Sequence, residues 1–485
     1  MKLWLWGLTG LLFCVVWGCT PMQNQNEKAK EVRGVWITNI DSDLMFSADS
    51  ISAAMKELSD QGFNVVFPVV LNDGFTLYPS EVMTETFGEA YRIDSTLLAN
   101  QIDPLQEIII EAQRYGMDVI PWFEFGFASS YKQNGGHILA SKPEWAARDI
   151  EGNLLKKNNF EWMNGIHPEV QNFVESLILE VVENYDVDGV QGDDRLPAMP
   201  AHGGYSDYTR ALYEKEMGKK VPEDSADSTF MRWKADKLNA FQSKLYKNVK
   251  ERGEHLIVST SPSVYPWSYD NYLQDSPTWY ENGVTDLLIP QNYRYDIESY
   301  KSTLDQILEE HPGVLESKTV LTSGILIKAG PRYNNFEYVD EAIRYNREKG
   351  VPGEVYFFYE GLDEKNGNLG EQLAQSWYKE PAQLPWRTAE YQREFVEKTV
   401  QPGEEITFQI DTDNVWQVFA HTPAESAISS ATDFKIIERE ESPILKNGWQ
   451  KLISMKSKEE NSSRLTFTNT LERPVTLLLK ELRRK

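Results

Sequence analysis

Cysteine is nearly absent from this chain of 485 residues, which contains only Cys14 and Cys19. Cys14 falls within a predicted signal peptide, so the mature chain keeps one cysteine and can form no internal disulfide and no cysteine-based metal site. His137, His167 and His202 do not have the spacing of zinc ligands. Stability must therefore come from a large hydrophobic core, which a chain of this length can bury.

Basic residues are few relative to acidic ones, at 49 Lys and Arg against 74 Asp and Glu, which gives a formal net charge of −25. This charge argues against a nucleic-acid partner bound through its phosphates. The early predicted strands are not followed by the Gly-rich fingerprint of phosphate binding, so this feature gives no support to an open doubly wound sheet. The aromatic content of 12% suits either sugar stacking or a Trp-rich core and does not decide between them.

One long apolar run is present, at residues 1–18, and it is too short to be a comfortable membrane span. It predicts a signal peptide. The junction of Gly18 and Cys19 resembles a bacterial lipoprotein signal, so we predict a lipidated Cys19 followed by a polar tether over residues 19–31. The alternative is an ordinary N-terminal anchor that keeps Cys19 buried. The lipid would place the protein on a membrane of the bacterial cell envelope, facing the periplasm or the surface.

Strand and helix patterns alternate between residues 32 and 387. The predicted strands cover residues 33–38, 64–71, 118–125, 190–191, 255–262, 286–293, 318–326 and 354–360. The clearest helices cover residues 47–61, 103–116, 168–184, 230–251, 300–310 and 338–349. Eight strands alternating with helices predict an α/β fold, a (β/α)8 TIM barrel over residues 32–387, with an open doubly wound sheet as the alternative.

The pattern changes near residue 387. Residues 394–485 are rich in Val, Thr and Phe and contain stretches of period two, which predict a small C-terminal β-sandwich domain. We expect this domain to serve packing or sugar binding. Trp416 and Trp449 suit either stacking on a glycan or burial in the sandwich core, and burial is the commoner fate of such residues.

The stretch over residues 185–197, YDVDGVQGDDRLP, combines a tight turn, a short buried strand and two adjacent acids. In a parallel barrel, chemistry lies at the carboxyl ends of the strands. Asp193 and Asp194 end the fourth strand, and Glu124 ends the third between two phenylalanines that would raise its pKa. On a regular strand the two aspartates point to opposite faces. We therefore expect one at the barrel mouth and the other to pair with a residue such as Arg195 or to cap the turn.

Further polar and aromatic residues follow other predicted strands and are candidates for substrate binding. Amide and phenol groups suit sugar hydroxyls and N-acetyl groups, which need hydrogen bonds rather than charge. For Glu360 the favoured alternative is a structural carboxylate. The candidates are Asp73, Arg195, Tyr265, Trp267, Gln291, Asn292, Tyr293 and Glu360.

Several motifs occur in an order that resembles a known family: RGVWIT, LYPSEV, PWFEFGF, HPEV, YDVDGVQGDDR, STSP, LQDSPTW and LLIPQNYR. The resemblance covers about residues 33–362. It is to the glycosyl-hydrolase-like family ten, the family of a bacterial lipoprotein that cleaves peptide-free peptidoglycan glycans. In that family an aromatic residue usually stands at the position of Gly192, so the floor of the site is expected to differ.

The resemblance implies a glycoside hydrolase that acts on a cell-wall-type or other amino-sugar-containing glycan. Glycoside hydrolysis uses two carboxyl groups, and Asp194 with Glu124 is the expected catalytic pair, with Asp193 as the substitute. No cofactor and no metal are expected, although a metal-dependent hydrolase built on the two aspartates remains the weaker alternative. A different class, a non-catalytic surface glycan-binding lipoprotein, also stays open.

Overall fold

The computed structural model describes residues 29–387, 391–409, 415–422, 447–455, 464–469 and 472–484. The predicted signal peptide, the predicted lipid-bearing Cys19 and most of the predicted tether lie outside the described residues. Within the described part of the chain, no helix combines the length and the apolar character needed to cross a bilayer.

Eight parallel strand segments form the centre of the molecule. The strands β1 (Val32–Ile37), β2 (Val65–Pro68) and β5 (Ile257–Thr260) are buried along their whole length. Such burial is typical of parallel strands covered on both faces. β6 and β7 resume after short breaks as Gln291–Asn292 and Ser323–Leu326. The strands are β1 Val32–Ile37, β2 Val65–Pro68, β3 Asp118–Val119, β4 Gly189–Gly192, β5 Ile257–Thr260, β6 Leu287–Leu288, β7 Val320–Leu321 and β8 Gly353–Phe357.

The strands pair in chain order. β1 pairs with β2 and β2 with β3, while β4, β5, β6 and β7 form a second consecutive series. An isolated parallel bridge between Trp122 and Gln191 links the segment after β3 to β4. β8 lies between β1 and the continuation of β7. Because these pairs are parallel, the carboxyl ends of the strands lie at one edge, and the predicted α/β fold is confirmed.

A helix follows each strand along the chain. Helix α3 (Pro168–Asn184) buries the apolar face that the sequence predicts, including Val170, Leu177 and Val181. α2 begins where expected, because Asp103 caps it and Pro104 occupies its first turn. The helices are α1 Ala48–Asp60, α2 Pro104–Arg114, α3 Pro168–Asn184, α4 Ser228–Arg252, α5 Ser276–Glu281, α6 Ile297–Glu310, α7 Phe336–Glu348 and α8 Leu369–Gln375.

The loops at the carboxyl ends of the strands carry their own short elements. After β3, three antiparallel segments form a small sheet, Ala128–Tyr131, Lys156–Lys157 and Phe160–Trp162. Hairpins follow β2 and β7, at Leu71–Asn72 with Phe75–Thr76 and at Lys328–Ala329 with Arg332–Tyr333. The remaining loop helices are Glu81–Phe87, Ser95–Asn100, Gly136–Ser141, Asp207–Met217 and Trp267–Tyr272.

The C-terminal region is rich in antiparallel strands, as predicted. Among the described residues, six strands, numbered β9 to β14 in chain order and given with their ranges below, form two groups. Four of them form a sheet in the order β9, β14, β11, β12, and β10 pairs with β13. Both groups contribute to one core, in which Phe408 and Phe467 meet Trp416 and Val418. The burial expected for Trp416 is confirmed. The strands are β9 Tyr391–Val400, β10 Glu405–Gln409, β11 Val415–Thr422, β12 Gly448–Met455, β13 Arg464–Thr468 and β14 Val475–Arg484.

The C-terminal strands pack against α2 through a small apolar cluster. Ile110 of the helix meets Phe419, Trp449 and Leu478, and all four side chains are buried. The indole Nε1 of Trp449 also donates a hydrogen bond to Glu111 at 2.6 Å. Trp449 is therefore buried at this interface rather than in the core between the C-terminal strands.

Ionic contacts surround this apolar cluster at the amino ends of the parallel strands. Asp186 and Asp188 lie just before β4. Lys480 of β14 pairs with Asp186, and Arg393 of β9 donates to Asp188 at 2.7 Å. Arg387, at the end of the predicted barrel domain, also pairs with Asp188. The C-terminal region thus docks at the end of the sheet opposite to the carboxyl ends of the strands.

The chain enters and leaves the parallel sheet at the same place. Ala29–Lys30, just before β1, pairs in parallel with Ala382–Gln383. The backbone N–H of Glu31 donates to the carbonyl of Gln383 at 2.9 Å. The first described residues are therefore held at the amino ends of the strands.

Candidate active site

Glu124, Asp193 and Asp194 lie where two neighbouring strands end. Glu124 follows Trp122 by two residues, and the two aspartates follow β4 directly. The parallel bridge between Trp122 and Gln191 places these two strand ends side by side. The acids that the sequence assigns to the third and fourth strands are therefore neighbours in space.

A tight turn at the end of β4 determines where the two aspartates point. A Cβ atom on Gly192 would lie only 2.5 Å from the carbonyl oxygen of Leu196, so the chain folds back closely on itself here. The backbone N–H of Arg195 donates to Asp193 Oδ1 at 2.9 Å. The strand stops at Gly192, so the alternation of a regular strand does not extend to the two aspartates, and both carboxylates contact Arg195. The expectation that one of them pairs with Arg195 or caps the turn is confirmed for Asp193.

The guanidinium of Arg195 lies at the centre of the three carboxyl groups. Its Nη2 is 3.1 Å from Glu124 Oε1 and 3.1 Å from Asp193 Oδ2, while its Nη1 is 3.0 Å from Asp194 Oδ1. Nε donates to the backbone carbonyl of Glu124 at 2.7 Å, and the ring of Phe160 lies 4.7 Å away. Glu124 Oε1 and Asp193 Oδ2 both contact Arg195 Nη2, so the distance between these two oxygens cannot exceed twice the length of one such contact.

Asp193 is the most enclosed of the three acids, with 2% of its side chain exposed. Its Oδ2 accepts a hydrogen bond from the indole Nε1 of Trp122 at 3.0 Å, and its backbone carbonyl accepts one from Gln274 at 2.8 Å. Burial raises the pKa of Asp193 well above its ordinary value, against the opposing effect of Arg195. Asp193 is thus held firmly and faces little solvent.

Glu124 is partly buried, with 18% of its side chain exposed, and is held at both carboxylate oxygens. Oε1 contacts Arg195, and Oε2 accepts a hydrogen bond from the side-chain amide of Asn72. Burial is the main cause that raises the pKa of Glu124, Arg195 opposes it, and the charge of Asp194 adds to the rise. A carboxyl group in such surroundings suits proton donation near neutral pH.

Asp194 is the acid that solvent reaches most easily, with 26% of its side chain exposed. Three carboxyl groups face a single guanidinium, so full ionisation would leave an excess of negative charge in a largely buried space. Burial raises the pKa values of Glu124 and Asp193, which favours a proton on one of these two carboxyls and divides the cluster into a proton-bearing acid and its neighbours. That division is the one that glycoside hydrolysis requires.

Two tyrosines enclose the cluster from the side. The ring of Tyr293 stacks on Phe357 at 5.1 Å, and its pKa is raised well above the ordinary value, first by burial and then by the charge of Asp194. Burial, followed by the charge of Asp194, raises the pKa of Tyr272 to about 12. Both phenols therefore stay protonated and can donate hydrogen bonds toward a substrate.

Two other predicted residues border this group. The Asp73 carboxylate accepts hydrogen bonds from the backbone of Tyr131 at 2.8 Å and from the side chain of Gln133 at 2.6 Å. Its negative charge also contributes to the raised pKa of Glu124. Trp267 is 51% exposed, and its ring lies 5.7 Å from Tyr272. An exposed indole beside the cluster offers an apolar face on which a sugar ring can stack.

The four remaining predicted residues have other contacts and, like Asp73, Trp267 and Tyr293, show no hydrogen bond or ion pair to the three acids within the described chain. The side-chain amide of Gln291 donates to the backbone of Ser261, and that of Asn292 donates to the backbone of Tyr300, where it supports α6. Tyr265 lies beside Tyr269. Glu360 follows β8, and burial raises its pKa to about 7. Their predicted role in substrate binding stays a prediction.

The structure adds residues to the site that sequence reasoning missed. Asn72, Trp122, Phe160, Tyr272 and Gln274 all touch the acids or their arginine, or flank them. Trp122 lies in the PWFEFGF motif and Gln274 in the LQDSPTW motif, so these two had a signal in the sequence. The others come from loops whose positions depend on the fold.

Metal-binding groups are not clustered in the part of the chain that the structure describes, where no three His, Cys, Asp or Glu side chains are placed to hold an ion. The arrangement around Arg195 places a cation, rather than vacant ligands, between the carboxylates. The site therefore suits acid–base chemistry by the carboxyl groups themselves.

The sequence model of a family described as "Glycosyl hydrolase-like 10" matches residues 31–339. The chain belongs to this family. The resemblance stated from the motifs is thereby confirmed. A similar curated protein is "Glycosyl hydrolase DigH" of Escherichia coli strain K12, which is 23% identical over 342 residues, 58% of this chain and 71% of that protein.

Solved structures with a similar fold are glycoside hydrolases. The "PgaB (BpsB) glycoside hydrolase domain from Bordetella bronchiseptica" has a TM-score of 0.51 at 12% identity and covers 71% of this chain and 99% of that domain. The catalytic domain of a beta-amylase from Paenibacillus polymyxa has a TM-score of 0.52 at 10% identity, covering 73% of this chain and 99% of that domain. At such identities the likeness is one of fold.

Proposed function

We propose that this protein is a glycoside hydrolase whose catalytic groups are Glu124 and Asp194. The observation that carries the proposal is the meeting of three carboxyl groups around Arg195 at the ends of adjacent parallel strands. Membership of a glycosyl hydrolase-like family and the glycoside hydrolase folds of its structural relatives support the same reaction class.

We also propose that the eight strands close into a (β/α)8 barrel with the acids at its mouth. The consecutive parallel pairing and the pairing of β8 with β1 support closure. In such barrels the active site is built from the loops at the carboxyl ends of the strands. Glu124, Asp193 and Asp194 stand at that end of β3 and β4.

The surroundings of each acid suggest its role. Glu124 has a raised pKa and serves as the proton donor to the leaving oxygen. Asp194 is the most exposed acid and serves as the ionised carboxylate, either as nucleophile or as the base that activates water. Asp193, buried against Trp122, positions Arg195, and it is the substitute for Asp194 if the substrate reaches it instead.

The substrate class that we propose is an amino-sugar-containing bacterial glycan, with peptide-free peptidoglycan as the first compound to test. Protonated phenols of Tyr272 and Tyr293 supply hydrogen-bond donors for hydroxyl and N-acetyl oxygens. Trp267 supplies a face for sugar stacking. The motif resemblance to a family that acts on such glycans motivates this choice.

The test is to incubate the purified protein with a panel of glycans and to identify the products by mass. Glu124→Gln and Asp194→Asn should each lower turnover by about 10²–10⁴-fold, with a smaller change in KM, because a transition-state interaction is lost. Asp193→Asn is measured alongside them. Asp305→Asn, an exposed acid on α6, is the matched control. Near-wild-type turnover of both principal variants, with folding confirmed by melting, contradicts the assignment.

A second candidate function is that of a non-catalytic surface glycan-binding lipoprotein. The contacts of Arg195 favour it, because the guanidinium opposes the rise in the pKa of Glu124 and holds Asp194 in an ion pair that weakens it as a nucleophile. Wild-type protein that binds the glycan panel and releases no product would support this function instead.

We further propose that Cys19 carries the lipid that holds the protein on a membrane of the bacterial cell envelope. The Gly18–Cys19 junction supports this. Cys19→Ser should abolish labelling by a fatty-acid probe and release the protein from membranes, while Cys14→Ser, the matched control, should keep both. A Cys19→Ser variant that still fractionates entirely with membranes contradicts the lipoprotein proposal.

A further inference from the structure

A cavity of about 720 Å³ lies in the loop that follows β3, outside the group of three acids. The loop folds back through an antiparallel bridge between Arg148 and Leu154. None of the residues that line this cavity takes part in the chemistry proposed above. The polar side chains of its lining are Asn134, Arg148, Asp149, Asn153, Lys156 and His202.

The guanidinium of Arg148 is the distinctive group in this cavity. It is partly buried and has no ion-pair partner among the described residues. The neighbouring Asp149 carboxylate is occupied by the backbone N–H and side-chain amide of Asn153, at 2.8 and 3.2 Å. Lys156 makes two long contacts, at 3.5 Å with Glu161 and at 3.4 Å with the side-chain oxygen of Asn134. The cavity therefore offers positive charge on a chain whose net charge is −25.

The cavity shares a lining residue with a second cavity, which leads toward residues that flank Arg195. His202 lines both this cavity and a second one of about 420 Å³, which also contains Lys157. Lys157 lies directly across the β-hairpin from Phe160, whose ring contacts Arg195. The ammonium of Lys157 also lies 4.5 Å from the ring of Tyr272. His202 and Lys157 thus connect the lining of these cavities to Phe160 and Tyr272, the residues that flank Arg195.

We propose that Arg148 binds the carboxylate of an acidic sugar residue in the same glycan chain that is cut at Glu124 and Asp194. A planar guanidinium pairs with a carboxylate through two parallel hydrogen bonds. Asn134 and Asn153 provide amides for the hydroxyl or N-acetyl groups of that sugar. The inference deepens the proposed function and rests on it, since it names the charge that distinguishes the substrate.

Two soluble oligosaccharides serve as probes. One is prepared from peptide-free peptidoglycan and carries free carboxylates, and the other is the same material with its carboxylates reduced to alcohols. Calorimetric titration in a Glu124→Gln background, in which cleavage is slow, measures the Kd of each. The carboxylate form should bind about tenfold more tightly or better, and this preference should shrink as salt is added.

Arg148→Gln should remove the preference and leave the Kd of the reduced form unchanged. Arg148→Lys should restore part of the preference, because it returns the charge without the two-pronged geometry. Arg344→Gln, which removes an exposed guanidinium on α7, is the matched control and should bind like the parent. In the active enzyme, Arg148→Gln should raise KM for the carboxylate form with little change in kcat.

The outcomes separate this inference from the proposed function. A preference for the carboxylate form that survives Arg148→Gln overturns the inference, as does an equal loss for both probes or binding of neither probe. Failure of the proposed function appears differently, as wild-type protein that releases no product from any glycan. Binding that depends on Arg148 would still support the subsite in that case.

Discussion

Arg195 makes the burial of three acids tolerable. An isolated carboxylate in such a place would lose its hydration without replacement, and a guanidinium between them supplies hydrogen bonds to each. The same arginine fixes the directions of Glu124 and Asp194 before any substrate arrives. Catalytic groups positioned in this way need little rearrangement at the moment of reaction.

The first prediction at the residue scale concerns Gly192. Gly192→Ala would place a methyl group against the Leu196 carbonyl, a backbone atom that cannot move without opening the turn. We expect a loss of stability of about 1–3 kcal/mol, as for other overpacked sites. Turnover should also fall, because Asp193 and Asp194 follow directly. Thermal melting and product assays measure the two effects.

Gly330→Ala is the comparison for this variant. Gly330 lies in the hairpin after β7, and nothing stands within 4 Å of the Cβ that alanine would add. Its backbone is left-handed, so alanine there carries only the conformational cost of about 1–2 kcal/mol. If Gly192→Ala keeps full turnover, the turn does not set the positions of the aspartates.

At the scale of elements, α2 connects the sheet to the C-terminal strands. Asp103 caps this helix by accepting from the backbone of Gln106 at 3.1 Å, and it also accepts from the hydroxyl of Tyr185 at 2.7 Å. Burial raises the pKa of Asp103 to about 6 from an ordinary value of 3.8. The folded state therefore holds the proton of this carboxyl more tightly than the unfolded state does.

The second prediction follows from that pKa. The stabilising effect of the protonated Asp103 is complete below pH 3.8 and is lost as the pH rises through about 6. Asp103→Asn keeps the cap and removes the charge. Relative to wild type, the variant should therefore gain stability between those pH values, by an amount on the order of 1–3 kcal/mol. Urea unfolding at a series of pH values measures the difference.

Asp296→Asn gives the contrast. Asp296 caps α6 by accepting from the backbone of Ser299 at 2.8 Å, and that hydrogen bond lowers its pKa. Its contribution to stability is present above pH 3.8 and disappears as the pH falls through the lowered pKa. Asp296→Asn should thus lose stability at neutral pH. The argument for Asp103 would be contradicted if, relative to wild type, the stabilities of Asp103→Asn and Asp296→Asn changed in the same direction as the pH rises.

The elements themselves were predictable where a local pattern determines them. The apolar face of α3 and the strands β1, β2 and β5 follow from periodicity and burial along a few residues. The direction of Asp193 was not predictable, because it depends on a close approach between Gly192 and Leu196. Tyr272 and Asn72 join the site through loops, and no local pattern reports which loops meet.

At the scale of the whole molecule, the two ends of the parallel sheet have different tasks. The carboxyl ends hold the acids, and the amino ends hold the C-terminal strands through Asp186 and Asp188. The division into domains at residues 32–387 and 394–485 stays a prediction. The contacts across it nevertheless bear on what removal of the C-terminal region should do.

The third prediction belongs to this larger scale. A chain ending at Arg387 should still fold but should have a lower melting temperature than the full-length protein. Asp186 would lose its ion pair with Lys480, and its carboxylate would be hydrated by solvent instead. Ile110 would also lose its cover. Product release should persist, because the acids lie at the other end. Melting curves and glycan assays on both chains make the comparison.

Two results would contradict this view of the C-terminal region. Equal melting temperatures would mean that its contacts contribute nothing to the stability of the parallel sheet. Loss of both folding and activity would mean that these strands complete the barrel domain, and the predicted boundary would then be wrong.

The placement of the first described residues sets an orientation. Ala29–Lys30 is held at the amino ends of the strands, beside Ala382–Gln383, so the acids stand at the far pole of the molecule. If Cys19 carries a lipid as predicted, the part of the tether between Cys19 and Ala29 can span no more than about 35 Å at full extension. The mouth would then point away from the bilayer and toward the surrounding polymer, and its greatest distance from the membrane would be the tether length plus the depth of the folded chain between Ala29 and the acids.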